Sequence, residues 1–115
     1  MGKIKTRIRK TVDREIEIDV TFPIYRKHDL FLDRDNVVIY TKIIENGGKF
    51  IHYSIKESNF TDYEIKTEEY HDLCNGNSYD YCVGKNDYES NEGEFSSVII
   101  RMKKRIEEAN AILQR

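Results

Sequence analysis

An α+β fold is what the periodicities of this chain predict: an antiparallel sheet of about four to six strands, opened by a long N-terminal strand or hairpin and packed against one C-terminal amphipathic helix. Three observations carry that expectation. Apolar residues alternate with polar ones through the first two dozen positions, a glycine turn separates two β-rich runs near the middle, and the period changes from two to three-and-four at the C-terminus.

The alternation is clearest from Lys3 to Ile24, where Ile4, Ile8, Val12, Ile16, Ile18, Val20, Phe22 and Ile24 fall on even positions. Period two places them on one face of a strand. The odd positions change sign at Thr11, with Lys3, Lys5, Arg7 and Arg9 before it and Asp13, Glu15, Glu17 and Asp19 after it. A strand that long is unusual, since about 5 or 6 residues is typical. Either it folds back near Lys10 to Val12, or it is a ribbon paired with a second molecule. Antiparallel pairing centred on Thr11 sets Arg9 against Asp13, Arg7 against Glu15, Lys5 against Glu17 and Lys3 against Asp19, and opposed charges of this kind help to choose a register. Between two molecules the pattern is self-complementary, so a homodimer through residues 3–19 is one expectation.

Pro23 ends this run, because proline removes a ladder donor, and "RKHDLFLDRDN" (26–36) reads as a polar connection. "NVVIYTKII" and "KFIHYSIKES" flank "ENGG", a hairpin signal that sets Ile44 opposite Ile51, Lys42 opposite Tyr53 and Tyr40 opposite Ile55. "TDYEIKTEEY" (61–70) alternates again and predicts a short strand, and "YDYCV" (79–83) a last one. Phe95, Val98, Ile99, Met102, Ile106, Ala109 and Leu113 then form one stripe of a helix of about 20 residues. Asn91 with Glu94 three positions on is a capping-box pattern, and "RMKKR" (101–105) reads as the solvated face of that helix.

With 115 residues the chain has the size of one domain, 1–115, able to bury a core without disulfides or a metal. No stretch approaches a membrane span, and "MGKIKTRIRK" lacks the apolar block of a secretory leader, so the expected setting is cytoplasmic. Cys74 and Cys82 are too few for a disulfide framework.

The net charge of −2 hides a strong asymmetry. Residues 1–56 carry 12 basic and 8 acidic side chains, residues 57–94 carry 2 and 11, and residues 95–115 carry 5 and 2. A one-signed region steers oppositely charged partners toward it. Five of the eight tyrosines lie in the acidic middle, and tyrosine supplies large contact area at low entropic cost. The expected docking face is therefore Tyr63, Glu64, Glu68, Glu69, Tyr70, Asp72, Tyr79, Asp80, Tyr81, Asp87, Tyr88 and Glu89, and the partner a basic protein surface. Carboxylates at alternate strand positions are about 6.7 Å apart, near the spacing of successive phosphates, so an acidic strand can occupy a nucleic-acid site. Glu15, Glu17 and Asp19 meet that spacing, and Glu64 and Glu68, with Lys66 intervening, stand at about twice it. A small inhibitor of nucleic-acid machinery, encoded by a phage or mobile element, fits this logic by analogy.

Other chemistries leave weaker signals. His71, Cys74 and Cys82, with His52 as a fourth ligand, are the right types for zinc, but the second short ligand pair of a structural site is missing, so neither a metal nor another cofactor is expected. No nucleophile elbow, phosphate loop, dinucleotide fingerprint or metalloprotease helix is present, which points away from an enzyme of those kinds. "KIKTRIRK" with "RMKKR" could form a basic stripe for nucleic acid, against which stand its strand-like alternation and the pI near 5.9.

Overall fold

Val37 to Ile44 place large apolar side chains on both alternate sets, and a strand so composed is stable only when both of its faces are covered. In the computed structural model, which describes residues 3–11, 14–32, 35–71 and 87–114, this run becomes the inner strand β4 (Asp35–Asn46). It sits between β3 (Ile24–Leu32) and β5 (Lys49–Ser58), and β6 (Asp62–Tyr70) completes an antiparallel four-stranded sheet of order β3-β4-β5-β6. A separate two-stranded sheet pairs β1 (Lys3–Thr11) with β2 (Arg14–Thr21), and the chain ends in the helix α1 (Glu92–Leu113).

The central hairpin has the register its turn predicts. Ile44 faces Ile51, Lys42 faces Tyr53 and Tyr40 faces Ile55. Gly47 and Gly48 adopt φ of +59° and +82°, the left-handed pair that a tight hairpin turn requires and that glycine reaches without a Cβ penalty. Glu45 Oε1 accepts a hydrogen bond from Gly48 N at 3.0 Å and closes the turn.

Two expectations are corrected. The N-terminal run does fold back on itself, but the pairing is Arg9 with Glu15, Arg7 with Glu17 and Lys5 with Asp19, two residues out of the register centred on Thr11. Opposite charges are paired in both registers, so charge alone could not separate them, and the observed one also aligns Ile4 with Val20 and Ile8 with Ile16. The second correction concerns 26–36, which is no polar connection: Ile24–Leu32 is β3, paired along its length with β4. Its alternation is hidden because the buried position Arg26, 3% exposed, is occupied by a charged residue.

Alternation divides the sheet into two faces. One carries Tyr25, Val38, Tyr40, Ile55 and Tyr63, and α1 packs there through Phe95, Val98, Ile99 and Met102. The other buries Arg26, Val37, Thr41, Ile43 and Phe50, with Phe22 stacked on Phe50 at 5.9 Å between ring centroids. Both faces of β4 are thus covered, which accounts for its near-continuous apolar sequence.

The helix starts where its cap predicts. Asn91 is extended and its side chain accepts from Glu94 N at 2.9 Å. The reciprocal half of a capping box is absent among the described contacts, since the Glu94 carboxylate binds Lys27 Nζ at 2.7 Å and Ser90 Oγ at 3.1 Å. From this anchor on β3 the helix crosses the sheet, meeting β4 and β5 at Arg101 and β6 at Met102. Four strands span about 14 Å between outer axes, whereas the 22 residues of α1 extend about 33 Å. The predicted stripe is therefore buried only in its first half: Phe95 and Val98 are enclosed, whereas Ile106 and Leu113 are exposed.

Candidate functional site

The acidic run begins at Glu57 in sequence, and the fold treats its members in three different ways. Glu57 goes inside. It lies on the helix-facing side of β5, 2% exposed, with Arg101 Nε on Oε2 at 2.8 Å and a second guanidinium nitrogen on Oε1 at 3.1 Å. Tyr63 donates its hydroxyl to Oε2 at 2.9 Å, and Arg101 also reaches the Tyr40 hydroxyl at 3.3 Å. A carboxylate this enclosed needs such a set of donors, because burying it unpaired costs far more than any hydrogen bond returns. The carboxylate holds the Arg101 guanidinium charged, its pKa raised above the ordinary value chiefly by the hydrogen bond to Glu57 and against the opposing effect of burial. Tyr63 is pushed up by burial and then by the same carboxylate. "RMKKR" is thus only partly a solvated face: Lys103 and Lys104 are exposed, while Arg101 is half-buried against the Glu57 carboxylate.

The carboxylates of β6 stay outside. Glu64, Glu68 and Glu69 are joined across or along the strands by Lys56 at 3.7 Å, Lys66 at 3.5 Å and Lys49 at 3.7 Å. Exposed pairs at such distances contribute little, but they offset part of the strand's negative charge. The pairing with Lys49 and Lys56 of β5 is invisible in the sequence of β6, since nothing in a single segment shows which cations its neighbour will supply. Tyr70 donates to Glu68 Oε2 at 2.7 Å, and this bond is the largest cause of the lowered Glu68 pKa.

The third group lies at the opposite end of the sheet. Tyr88 stands edge-on to His28 with ring centroids 5.0 Å apart, and its carbonyl accepts from Lys27 N at 2.8 Å. Ser90 N returns a bond to Tyr25 O at 3.2 Å, and Glu89 pairs with Arg26 as an isolated bridge. Residues 88–90 therefore cover the β3 edge. Asp87 is exposed beside them. Of the expected docking residues, Tyr63, Glu64, Glu68, Glu69 and Tyr70 gather on β6, and Asp87, Tyr88 and Glu89 gather on β3, about three strand spacings away. Asp72, Tyr79, Asp80 and Tyr81 lie outside the described residues, as do Cys74, Cys82 and the strand expected at 79–83.

His71 is exposed. His52 is on the sheet face away from α1, edge-on to Tyr70 at 4.8 Å, and its Nε2 has no hydrogen-bond partner among the described residues. Burial holds its pKa below the ordinary value, with the charge of Glu68 opposing. Among the described residues no group of three or more His, Cys, Asp or Glu side chains is placed to hold a metal ion.

Two concavities flank α1. One, of about 430 Å³, is lined by Tyr40, Asn91, Glu94, Ser97 and Arg101 and is the polar space over the buried ion pair. The other, of about 420 Å³, runs between β6 and α1 and is lined by Tyr63, Ile65, Met102, Arg105, Ile106 and Ala109. No described helix is long and apolar enough to cross a membrane. Comparison with protein-family models, with characterised proteins and with solved structures finds no match for this chain.

Proposed function

We propose that this chain is a non-enzymatic interaction protein that docks on a basic protein through the exposed carboxylates of β6. The observation that carries the reading is how the acidic run is sorted: Glu57 is neutralised in the core, whereas Asp62, Glu64, Glu68 and Glu69 line an outer strand with Tyr70 among them. A carboxylate field on a rigid sheet accelerates encounter with a basic surface, and the tyrosine adds contact area once water is displaced. The finer form of the proposal takes the partner to be a nucleic-acid-binding protein and the chain a phage or mobile-element inhibitor whose carboxylates stand where phosphates would lie.

Capture of a basic protein from a native lysate of the source cell, weakened by rising salt and lost in the double variant Glu68→Lys, Glu69→Lys, supports the reading. Retention on a DNA column at low salt, with no such protein captured, overturns it in favour of the basic-stripe alternative. Arg101, committed to Glu57, is one cation that this alternative cannot use.

A further inference from the structure

Two features left outside the docking argument meet in the β6–α1 groove. β6 is a nine-residue strand at the sheet's edge, and among the described residues nothing pairs with its outer side, in contrast to the β3 edge covered by 88–90. Ile65 on this strand is 67% exposed. Above it α1 carries Ile106, 53% exposed, over the groove, and by the lengths of helix and sheet it runs on past the last strand toward the exposed Leu113. An open edge beneath an overhanging apolar helix is a surface that soluble proteins cover.

The charges around the groove say what covers it. On β6 the order is Glu64, Ile65, Lys66, and on α1 it is Lys104, Arg105, Ile106, Glu107, Glu108. Each is opposite in sign on the two sides of an isoleucine, and both isoleucines line the same groove. We infer that the occupant is a second copy of this chain, related by a two-fold axis that passes beside Ile65 and Ile106.

About that axis β6 pairs antiparallel with its counterpart, Ile65 meeting Ile65 of the second copy and Glu64 meeting Lys66 on both sides. Tyr63 then faces Thr67 on the helix side. The like-charge pair of this register is Asp62 with Glu68, at the solvated ends. Centring instead on Glu64, Lys66 or Glu68 sets like charges on the axis, and centring on Thr67 sets Ile65 against Glu69. In the helix layer the same two-fold brings two α1 helices together antiparallel, Arg105 opposite Glu107, Lys104 opposite Glu108 and Ile99 near Leu113. The helix overhang of one copy then lies over the sheet of the other, and the eight strands of the two four-stranded sheets become continuous.

This surface is distinct from the residues 3–19 that the sequence suggested for a dimer; it engages Glu64 and sets Asp62 against Glu68 on the same strand that the docking proposal uses, and because the mass of the chain is read with no basic partner present, its outcome is separate from that of the docking experiment. The experiment is the solution mass of the full chain by sedimentation equilibrium across a wide concentration range. The expected result is a mass of two chains that falls to one in Ile65→Lys and Ile106→Glu, both exposed positions whose change leaves the circular dichroism spectrum intact. Glu64→Lys raises the dissociation constant several-fold, and the charge swap Glu64→Lys with Lys66→Glu restores it, because the swapped pattern is again self-complementary. With Cys74 and Cys82 replaced by serine, Ile65→Cys forms an interchain disulfide under mild oxidation and Ile100→Cys does not. A mass of one chain at every concentration overturns the proposal, as does a two-chain mass indifferent to Ile65→Lys and Ile106→Glu.

Discussion

Arg101, on the third turn of α1, closes two hydrogen bonds on the Glu57 carboxylate of β5, at 2.8 and 3.1 Å. The pair joins helix to sheet, with the Tyr63 hydroxyl donating to the carboxylate and the Tyr40 hydroxyl accepting from the guanidinium. The arginine side chain keeps 37% of its surface exposed while the carboxylate keeps 2%. Loss of the arginine therefore harms more than the pair's own attraction suggests, because it strands the buried charge. Arg101→Ala is expected to destabilise by about 3 kcal/mol, and the apolar replacement of both partners, Glu57→Leu with Arg101→Met, by much less. Urea unfolding of the two variants checks this, and equal losses would remove the argument.

The N-terminus of α1 is held by Asn91 and by Glu94. Asn91→Ala removes the cap to Glu94 N and is expected to cost about 1 kcal/mol. Glu94 is held below its ordinary pKa chiefly by the hydrogen bond from Lys27, with burial opposing and the Ser90 hydroxyl adding a smaller lowering. A carboxylate with a depressed folded pKa stabilises fully above its unfolded value and loses that contribution as pH falls through the folded one. Stability is thus expected to drop on acidification below about 4.5, and Glu94→Gln to flatten part of that limb. Denaturation midpoints measured from neutral pH down to the acid limb check both.

His52 acts in a higher window. Burial lowers its pKa below 6.5 despite the facing carboxylate of Glu68, while Tyr70 stands edge-on and Ile43 lies opposite on β4. The unfolded chain takes up the imidazole proton first, so stability is complete above 6.5 and declines as pH falls below it. In His52→Leu that decline is expected to vanish, leaving the carboxylate limb at lower pH. A thermal-unfolding series against pH separates the two, and an unchanged slope in the variant would contradict the assignment.

Ile43 is fully enclosed on the sheet face away from α1, and Ile100 is 66% exposed on the helix. Ile43→Ala is expected to cost about 3 kcal/mol through lost transfer energy and a residual cavity. Ile100→Ala is expected to stay within about 0.5 kcal/mol. The contrast, measured by urea unfolding, tests whether the second face of the sheet is packed as tightly as the first.

Where local pattern and tertiary environment agree, the sequence was legible. The Gly47-Gly48 turn and the β4–β5 register follow from a two-residue connection joining two β-rich runs, and the start of α1 follows from Asn91. Where a buried position carries a charge, pattern reading fails. Arg26 disguised β3 as a polar connection, and Arg101 looked like one more solvated cation, because hydropathy along the chain carries no information about a partner 44 residues away. The candidate docking face was legible as composition only. That its members divide between β6 and the covered β3 edge is a consequence of strand order, which alternation does not encode.

By itself the sequence determined the class of the fold, the central hairpin with its register, the helix and its cap, and the uneven charge. These depend on turn geometry, on periods of two and 3.6, and on counting. The tertiary structure alone decided which carboxylate is neutralised inside, that residues 88–90 close the β3 edge whereas no described residue pairs with the outer side of β6, and that Ile65 and Ile106 share one groove. Those facts arise from contacts between segments far apart in the chain, and the free energy of such contacts depends on burial and distance, which no local pattern contains.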